Sequence, residues 1–390
     1  MVDETDCVTV HTIAIHDRGG KQRVASLVKL ASIQWSRQRS EFTQATVTIS
    51  AANCESQVSE LDAIEADRHE LVVFRGSNRV WEGPIREVRW LSNRVEIVAD
   101  DIGAYIDNSI CSKAWPGPEG GGQPYMTERA REIITYELTT SYQMDVGLTV
   151  PQMVTATRWE QQTPPANVLP YLDVRASTGV GGLLTTAEVE PFQMMVGEHL
   201  RNLARGGLDF TVVGRSLVVW DSATPLGQVR PLTEADFVGE IAVVASGRDL
   251  AAIAHIVAPA GGGEEDAPPV VGNAGAPDAY YGPWTRLLTR EDEGESEHEP
   301  DIRVLNTQAR RMLAGRLPVP VEIRADTGLR LSSDLTIDDL VPGVILPVRA
   351  VLNTRPVAQD QVLDKVTVNE TADGETITVE LSPVGTVRAL

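Results

Sequence analysis

The chain has 390 residues, 42% of them hydrophobic and 23% charged, and its 34 basic against 55 acidic side chains give a formal net charge of −21. That length exceeds one ordinary domain and implies two to four packed units, each able to bury a core. The acidic balance repels phosphate and argues against a protein that grips nucleic acid by counterion release, while Cys7, Cys54 and Cys111, in no CxxC or Cys/His pattern, read as reduced thiols.

The opening MVDETDCVTV lacks the basic start and apolar centre of a secretion signal, and no run nears the roughly 18 apolar residues of a membrane helix. The expectation is a soluble protein made in a cytoplasm. Strand patterns dominate the first hundred positions. Val8, Val10 and Thr12 lead in, then Ala45, Val47 and Ile49 face one way and Thr46 and Thr48 the other, as in a half-buried strand. Leu71 to Phe74, the turn Arg75-Gly76-Ser77-Asn78 and Val80-Trp81 read as a hairpin, since Gly and Asn supply the turn geometry. A second hairpin follows, with Ile85, Val88 and Trp90 running into Ser92-Asn93 and Val95, Ile97 and Ala99 returning. Short strands at this spacing predict a small barrel or sandwich ending near Asp107.

Trp115-Pro116-Gly117-Pro118 and Gly120-Gly121-Gly122 mark a boundary loop. Thr127 is placed to cap a helix running to about Leu138, with Ala130, Ile133, Ile134 and Leu138 as its apolar stripe. A second helix is predicted from about Glu190 to Ala204, with Pro191 in its first turn, Met194, Met195, Leu200 and Leu203 facing a core, and Gly206-Gly207 ending it. Leu208 to Val213, the turn Gly214-Arg215-Ser216 and Leu217 to Trp220 form another hairpin. Apolar alternation resumes at Glu240 to Val244 and Ala251 to Val257, before Gly261-Gly262-Gly263 and a Pro/Gly/Ala-rich tract through Ala279 predict a long exposed loop. Residues 291–301 carry seven acidic side chains and no basic one, so self-repulsion should keep them solvated. An acidic start and Arg310, Arg311 and Arg316 toward the far end support a helix from about Asp301 to Leu317, stopped by Pro318 and Pro320. Strand-like runs at 321–323, 344–348, 362–368 and 377–381, with a turn at Ala372-Asp373-Gly374, close the chain.

Signatures of catalysis are missing from this pattern. His11, His16, His69, His199, His255 and His298 are scattered, with no HExxH or His/Cys spacing, and His11 and His16, five apart in a strand, face opposite ways. Asp100-Asp101 and Asp338-Asp339 sit where caps and turns use Asp for local backbone hydrogen bonds. The glycine clusters lack the Lys-Ser/Thr of a phosphate loop, and no GxSxG occurs. Of the seven tryptophans, Trp35, Trp81, Trp90, Trp159 and Trp220 are read chiefly as core or interface packing. Trp115 and Trp284 fall in loops and are the candidates for contact with a partner. The site assignment is no catalytic, cofactor or metal residue.

The run from Trp35 to Ile106, with Trp35-Ser36-Arg37, Phe42-Thr43-Gln44-Ala45, HELVVFRGSNRVWEGPIREVRW and VEIVADDIGAYI, resembles the opening domain of tail hub proteins of long-tailed phages, especially minor tail proteins of phages of actinobacteria. GLDFTVVGRSLVVWD and LTEADFVGEIAVVASGRDLAA resemble the start of that family's second half, and LVPGVILPV with VLDKVTVNE its closing strands. The likeness covers most of the chain and is weak over 111–190 and 258–300.

What the resemblance implies is a mainly β fold with α/β insertions (α+β), containing two β-barrel tube-like domains. The first β-barrel would span 1–110. A mixed α/β middle domain with the acidic loop would span 111–204 with 259–317, and the second β-barrel 205–258 with 318–390. The best internal match is LVVFRGSNRVWEG against FTVVGRSLVVWDS. The resemblance also implies a structural baseplate hub subunit at the virion tail tip, assembled in the host cytoplasm, and not an enzyme. Three copies would present six barrels to a six-fold tube and keep three-fold symmetry toward the tip. The implied partners are the chain itself as a homotrimer, the distal tail protein ring, a central fibre or spike protein, and the tape-measure protein. Genomic DNA would pass along an acidic wall during ejection without specific binding, and no stable membrane insertion is expected. The competing readings are a distal tail adaptor of six copies, a receptor- or glycan-binding tail protein using Trp115 and Trp284, and a cell-wall hydrolase.

Overall fold

The computed structural model describes residues 7–18, 22–54, 57–115, 124–138, 172–177, 185, 189–222, 224–238, 242–245, 250–259, 268–289, 302–313, 321–324, 328–352 and 354–384. Trp159, His298, both glycine triplets, Arg316 and the acidic run 291–301 lie outside them.

The chain opens with strands β1 (His11–Asp17), β2 (Arg23–Leu27), β3 (Ser32–Gln38) and β4 (Gln44–Ser50), then two short helices, α1 (Ala51–Cys54) and α2 (Val58–Asp62). Next come β5 (His69–Arg75), β6 (Asn78–Trp90), β7 (Arg94–Asp100), α3 (Gly103–Asp107) and α4 (Met126–Glu137). They are followed by β8 (Asp173–Ser177), α5 (Val196–Gly206), β9 (Leu208–Val213), β10 (Ser216–Asp221), β11 (Ala242–Ala245) and β12 (Ile253–Ala258). The last elements are β13 (Val270–Gly275), β14 (Thr285–Thr289), α6 (Ile302–Leu313), β15 (Val321–Arg324), β16 (Ile345–Leu352), β17 (Arg355–Thr371) and β18 (Gly374–Pro383).

Side-chain parity fixes which face of each strand goes inside. Ala45, Val47 and Ile49 of β4 and Val95, Ile97 and Ala99 of β7 are all buried, while the alternate residues are only partly covered. They join Ile33 and Trp35 of β3, Trp81 of β6 and Leu363, Val366 and Val368 of β17 in one core. Each aliphatic side chain so buried contributes about 1.5–3 kcal/mol relative to exposure.

The expected pair of β-barrels does not form. Strands from both ends of the chain enter a single ten-stranded sheet, ordered β16-β17-β3-β4-β7-β6-β5-β1-β2, with β18 branching from β17. Strand β17 is the cause. Its first half pairs with β16, and its second half takes β18 on one side and β3 on the other, so Trp35 lies opposite Val368. A strand occupied on both edges adds the closing strands to the opening sheet instead of letting them curl into a cylinder of their own. Among the described residues no pairing joins β2 to β16 or β18, so the sheet stays open. It bends at β6, which pairs with β5 and then with β7 across a register shift between Ile85 and Glu87. There β6 runs so close to the end of β7 that a Cβ on Gly83 would stand 2.0 Å from the Asp100 carbonyl oxygen.

The hairpin β9–β10, expected in the second barrel, instead forms a separate three-stranded sheet with β8. A second core gathers there from Ile133 and Ile134 of α4, Leu200 and Leu203 of α5, and Phe210, Leu217 and Val219. A third, smaller core lies between α6 and β12–β13, with Ile256 and Leu305 at its centre.

Local details also differ from expectation. Thr127 falls inside α4, whose N-cap is Tyr125 with no side-chain capping bond. Helix α5 begins at Val196 because the chain first makes a turn in which Phe192 has φ +62°. The tract expected to be loop through Ala279 holds β13, and β14 follows it.

Candidate assembly surface

Charged residues buried in or beside apolar strands must find partners, and three such joints tie the parts together. On β5 and β6, Glu70 and Glu82 are both buried. The turn of the β9–β10 hairpin delivers Arg215, whose Nη1 lies 2.7 Å from Glu70 Oε2 and 3.7 Å from Glu82 Oε2. Tyr105 of α3 donates its hydroxyl to Glu70. Burial raises the Glu82 pKa even though Arg215 and Arg79 pull against it. Burial alone would loosen the Arg215 proton, but Glu70 and Glu82 outweigh that effect and hold it more firmly than usual.

A second joint centres on Arg39, just beyond β3, which reaches Asp209 of β9 at 2.7 Å and Asp364 of β17 at 3.3 Å. Ser40 donates to the same Asp209, and Thr211 donates to the Gln38 carbonyl. The third joint locks the beginning of the chain to its end. Glu370 of β17 accepts backbone N–H bonds from Thr9, Val10 and His11 and a 2.6 Å bond from His11 Nδ1. Trp35 Nε1 can only donate, so His11 Nε2 accepts from it and the ring proton sits on Nδ1. Burial pushes the Glu370 carboxyl up, but these donors win and its pKa lies below the ordinary range.

Three further ionisable groups are buried without an opposite charge in contact. Arg37 donates to the carbonyls of Ile337 and Val80 and lies over the Trp35 ring; burial lowers its pKa to about 10. Asp101 accepts from Thr43 N, Thr43 Oγ1 and Gly103 N, yet burial pushes its pKa up to about 7. His199 of α5 is 2% exposed with no hydrogen-bond partner on either ring nitrogen, and burial, then Arg129, lower its pKa to about 4.

Asp101 accepts from Gly103 N at the start of α3, and Asp339 accepts from Thr336 N and Oγ1 in a turn. Among the described residues no cluster of three or more His, Cys, Asp or Glu could hold a metal. A polar cleft of about 470 Å³ opens beside Gln38, Gln44 and Lys365, but its arginines are already engaged, Arg86 with Asp100 at 2.7 Å and Arg201 with Asp107 at 2.8 Å. No described helix is long and apolar enough to cross a membrane.

The two tryptophans singled out from sequence part company. Trp115 is buried, edge-on to Tyr136 with Lys113 Nζ 4.4 Å from its ring centre. Trp284 is 58% exposed, immediately before β14. Its neighbours Tyr280, Leu287 and Leu288 are exposed too. Sequence reading missed this cluster because TRLLT is short and follows a Pro/Gly-rich stretch; its two adjacent leucines were the available signal.

No family model matches the sequence, and no curated protein does. Solved structures do match along nearly the whole chain. The 43 kDa tail protein of prophage MuSo2 from Shewanella oneidensis superposes with a TM-score of 0.58 at 12% identity, covering 95% of this chain and 98% of that one. A tail protein from Neisseria meningitidis MC58 gives 0.56 at 13% identity, covering 96% of each. Prophage tail protein gp18 from Listeria monocytogenes gives 0.53 at 10% identity, covering 94% of each. The chain therefore shares its overall fold with these three tail proteins.

Proposed function

We propose that the chain is a structural subunit of a phage tail, the hub that joins the tail tube to the tip. The observation that carries this reading is the shared fold, which extends from end to end of tail proteins of nearly the same length. The buried charges support it. They act as joints between parts of one body, and none is arranged to attack, protonate or coordinate a substrate. In this role the chain does no catalysis.

The finer reading has three copies around the tail axis, with the distal tail protein ring above, a fibre or spike protein below and the end of the tape-measure protein within. Because the strands form one open sheet, each copy would have to meet a six-fold ring through two unlike faces. The charge of −21 supports passage of DNA without adhesion. Immunogold labelling of tailed particles and copy counting by quantitative mass spectrometry test the proposal together. Label at the tip with three copies per tail is expected; six copies would make the chain a distal adaptor, and absence from the particle would end the reading.

A further inference from the structure

Asp101 sits where the large sheet meets α3, and the hydrogen bonds around it lack a proton if its carboxyl is ionised. Thr43, in the loop between β3 and β4, has one hydroxyl proton and three partners around Oγ1. Trp81 Nε1, at 3.3 Å, can only donate, so it occupies one lone pair of that oxygen. The Ser36 carbonyl, at 2.8 Å, can only accept, so it needs the hydroxyl proton. An ionised Asp101 Oδ2, at 2.9 Å, would need the same proton, and one of the two oxygens would then face Oγ1 with no hydrogen between them. A proton on Oδ2 removes the conflict. Asp101 then donates to the second lone pair of Oγ1 and Thr43 donates to Ser36, which reverses the bond that an ionised carboxylate would accept. The carboxyl still accepts Thr43 N–H on Oδ2 at 2.6 Å and Gly103 N–H on Oδ1 at 2.8 Å.

We propose that Asp101 is a neutral carboxylic acid in the native protein, and that its proton latches the large sheet to the part of the chain built round the second core. Burial acts in the same direction and holds its pKa at about 7, with the like charge of Asp100 adding to the effect. The cations on the neighbouring elements are bound elsewhere: Arg37 to backbone carbonyls, Arg39 to Asp209 and Asp364, Arg86 to Asp67 and Asp100, and Arg201 to Asp107. Glu82 of β6 and Tyr105 of α3 belong to the Arg215 joint. When Asp101 loses its proton, the Thr43 hydroxyl turns to the carboxylate and the loop loses its tie to Ser36. That loop carries the contacts with the second core, since Arg39 and Ser40 bond Asp209 and the Phe42 ring lies 5.3 Å from that of Phe210. On its other side Phe42 packs so tightly on α3 that a Cβ on Gly103 would stand 1.9 Å from the ring. The folded pKa lies above the unfolded one, so the latch is closed at low pH and loosens as pH rises through about 7.

The test is carbon NMR of the full-length protein with 13C-labelled aspartate carboxyls, titrated from about pH 4 to about pH 9. One aspartate should titrate with a midpoint of about 7, and Asp101→Asn should remove that signal. Asn offers one acceptor oxygen to two N–H groups, so if that variant does not fold the wild-type titration decides alone. Among the described residues the other aspartates with displaced pKa values, Asp236 and Asp278, lie below the ordinary range. Midpoints below about 5 for every aspartate, or a signal that survives Asp101→Asn, would overturn the neutral acid. The latch is read by amide exchange over residues 39–43, corrected for intrinsic base catalysis and referred to Ile97 in the core. It should quicken by about fivefold between about pH 6 and about pH 8, the scale of one lost hydrogen bond, and Thr43→Val should abolish that dependence. Corrected exchange over the loop that is indifferent to pH in the wild type would overturn the latch.

Discussion

Replacing Arg215 with methionine isolates the contribution of the joint between the large sheet and the β9–β10 hairpin. The change keeps most of the apolar stem and removes a guanidinium that meets Glu70 at 2.7 and 3.2 Å, leaving carboxylates whose side chains are 0% and 2% exposed. Deleting one member of such a buried cluster costs about 3–5 kcal/mol, because Glu70 loses its arginine in a site water does not reach, while Glu82 keeps Arg79 at 3.3 Å. The sign with pH follows from linkage. Burial already holds the Glu82 carboxyl above its unfolded pKa and Arg215 opposes that rise, so without Arg215 the folded state loses more stability as pH rises through that window. The deficit relative to wild type should be full at about pH 8 and shrink toward about pH 5 as Glu82 takes up a proton. Urea unfolding across that range, followed by circular dichroism and tryptophan fluorescence, measures it. Adding Glu70→Gln and Glu82→Gln should recover most of the loss. A deficit below about 1 kcal/mol, or one indifferent to pH, would refute the assignment of Arg215 as the counter-charge.

Asp101 and His199 should oppose each other between about pH 4 and 7: the raised Asp101 pKa makes stability grow as pH falls, by about 4 kcal/mol in all, while the lowered His199 pKa removes about 3 kcal/mol over nearly the same window. Asp101→Asn should therefore expose an acid loss and His199→Leu an acid gain in urea titrations; parallel profiles for the two variants would sink the pairing of opposite signs. Glu370→Ala strands three backbone N–H groups and the His11 Nδ1–H, costing about 3 kcal/mol, and hydrogen exchange should accelerate at Thr9 to His11 before the core of the sheet is affected. Gly83→Ala should cost about 1–3 kcal/mol, because its Cβ would fall on the Asp100 carbonyl and β6 must shift to admit it. An unchanged melting curve for that variant would show that the crossing of β6 and β7 is looser than described.

What was legible in the sequence is what neighbouring residues decide. The hairpins β5–β6, β6–β7, β9–β10 and β17–β18 join adjacent strands across short turns, and their alternation and turn residues were visible. Whether a sheet closes is decided by pairings between distant strands, and nothing local in VLDKVTVNE announces that β17 will take β3 on its free edge. The buried joints left a fainter signal. Arg37 shares the inward parity of Ile33 and Trp35, and Glu370 that of Val366 and Val368, so each had to be paired inside or force the strand out of register. Parity gave the need for a partner but not its identity, since His11 and Glu370 come from opposite ends of the chain. Of the two loop tryptophans, Trp115 lay beside a helix able to cover it, and Trp284 beside a strand at the rim of a small sheet.

The pairing of β3 with β17 also governs the order in which the protein can be built. During synthesis the first strands leave the ribosome long before residue 371 exists, so the edge of β3 must wait, solvated and open to foreign strands, until nearly the whole chain has been made. Folding of this topology is slow for the same reason, since loop closure over hundreds of residues precedes the contacts that reward it. Shortening the chain from its far end would leave that edge bare for good, and such fragments should collect in aggregates instead of behaving as smaller working versions of the protein.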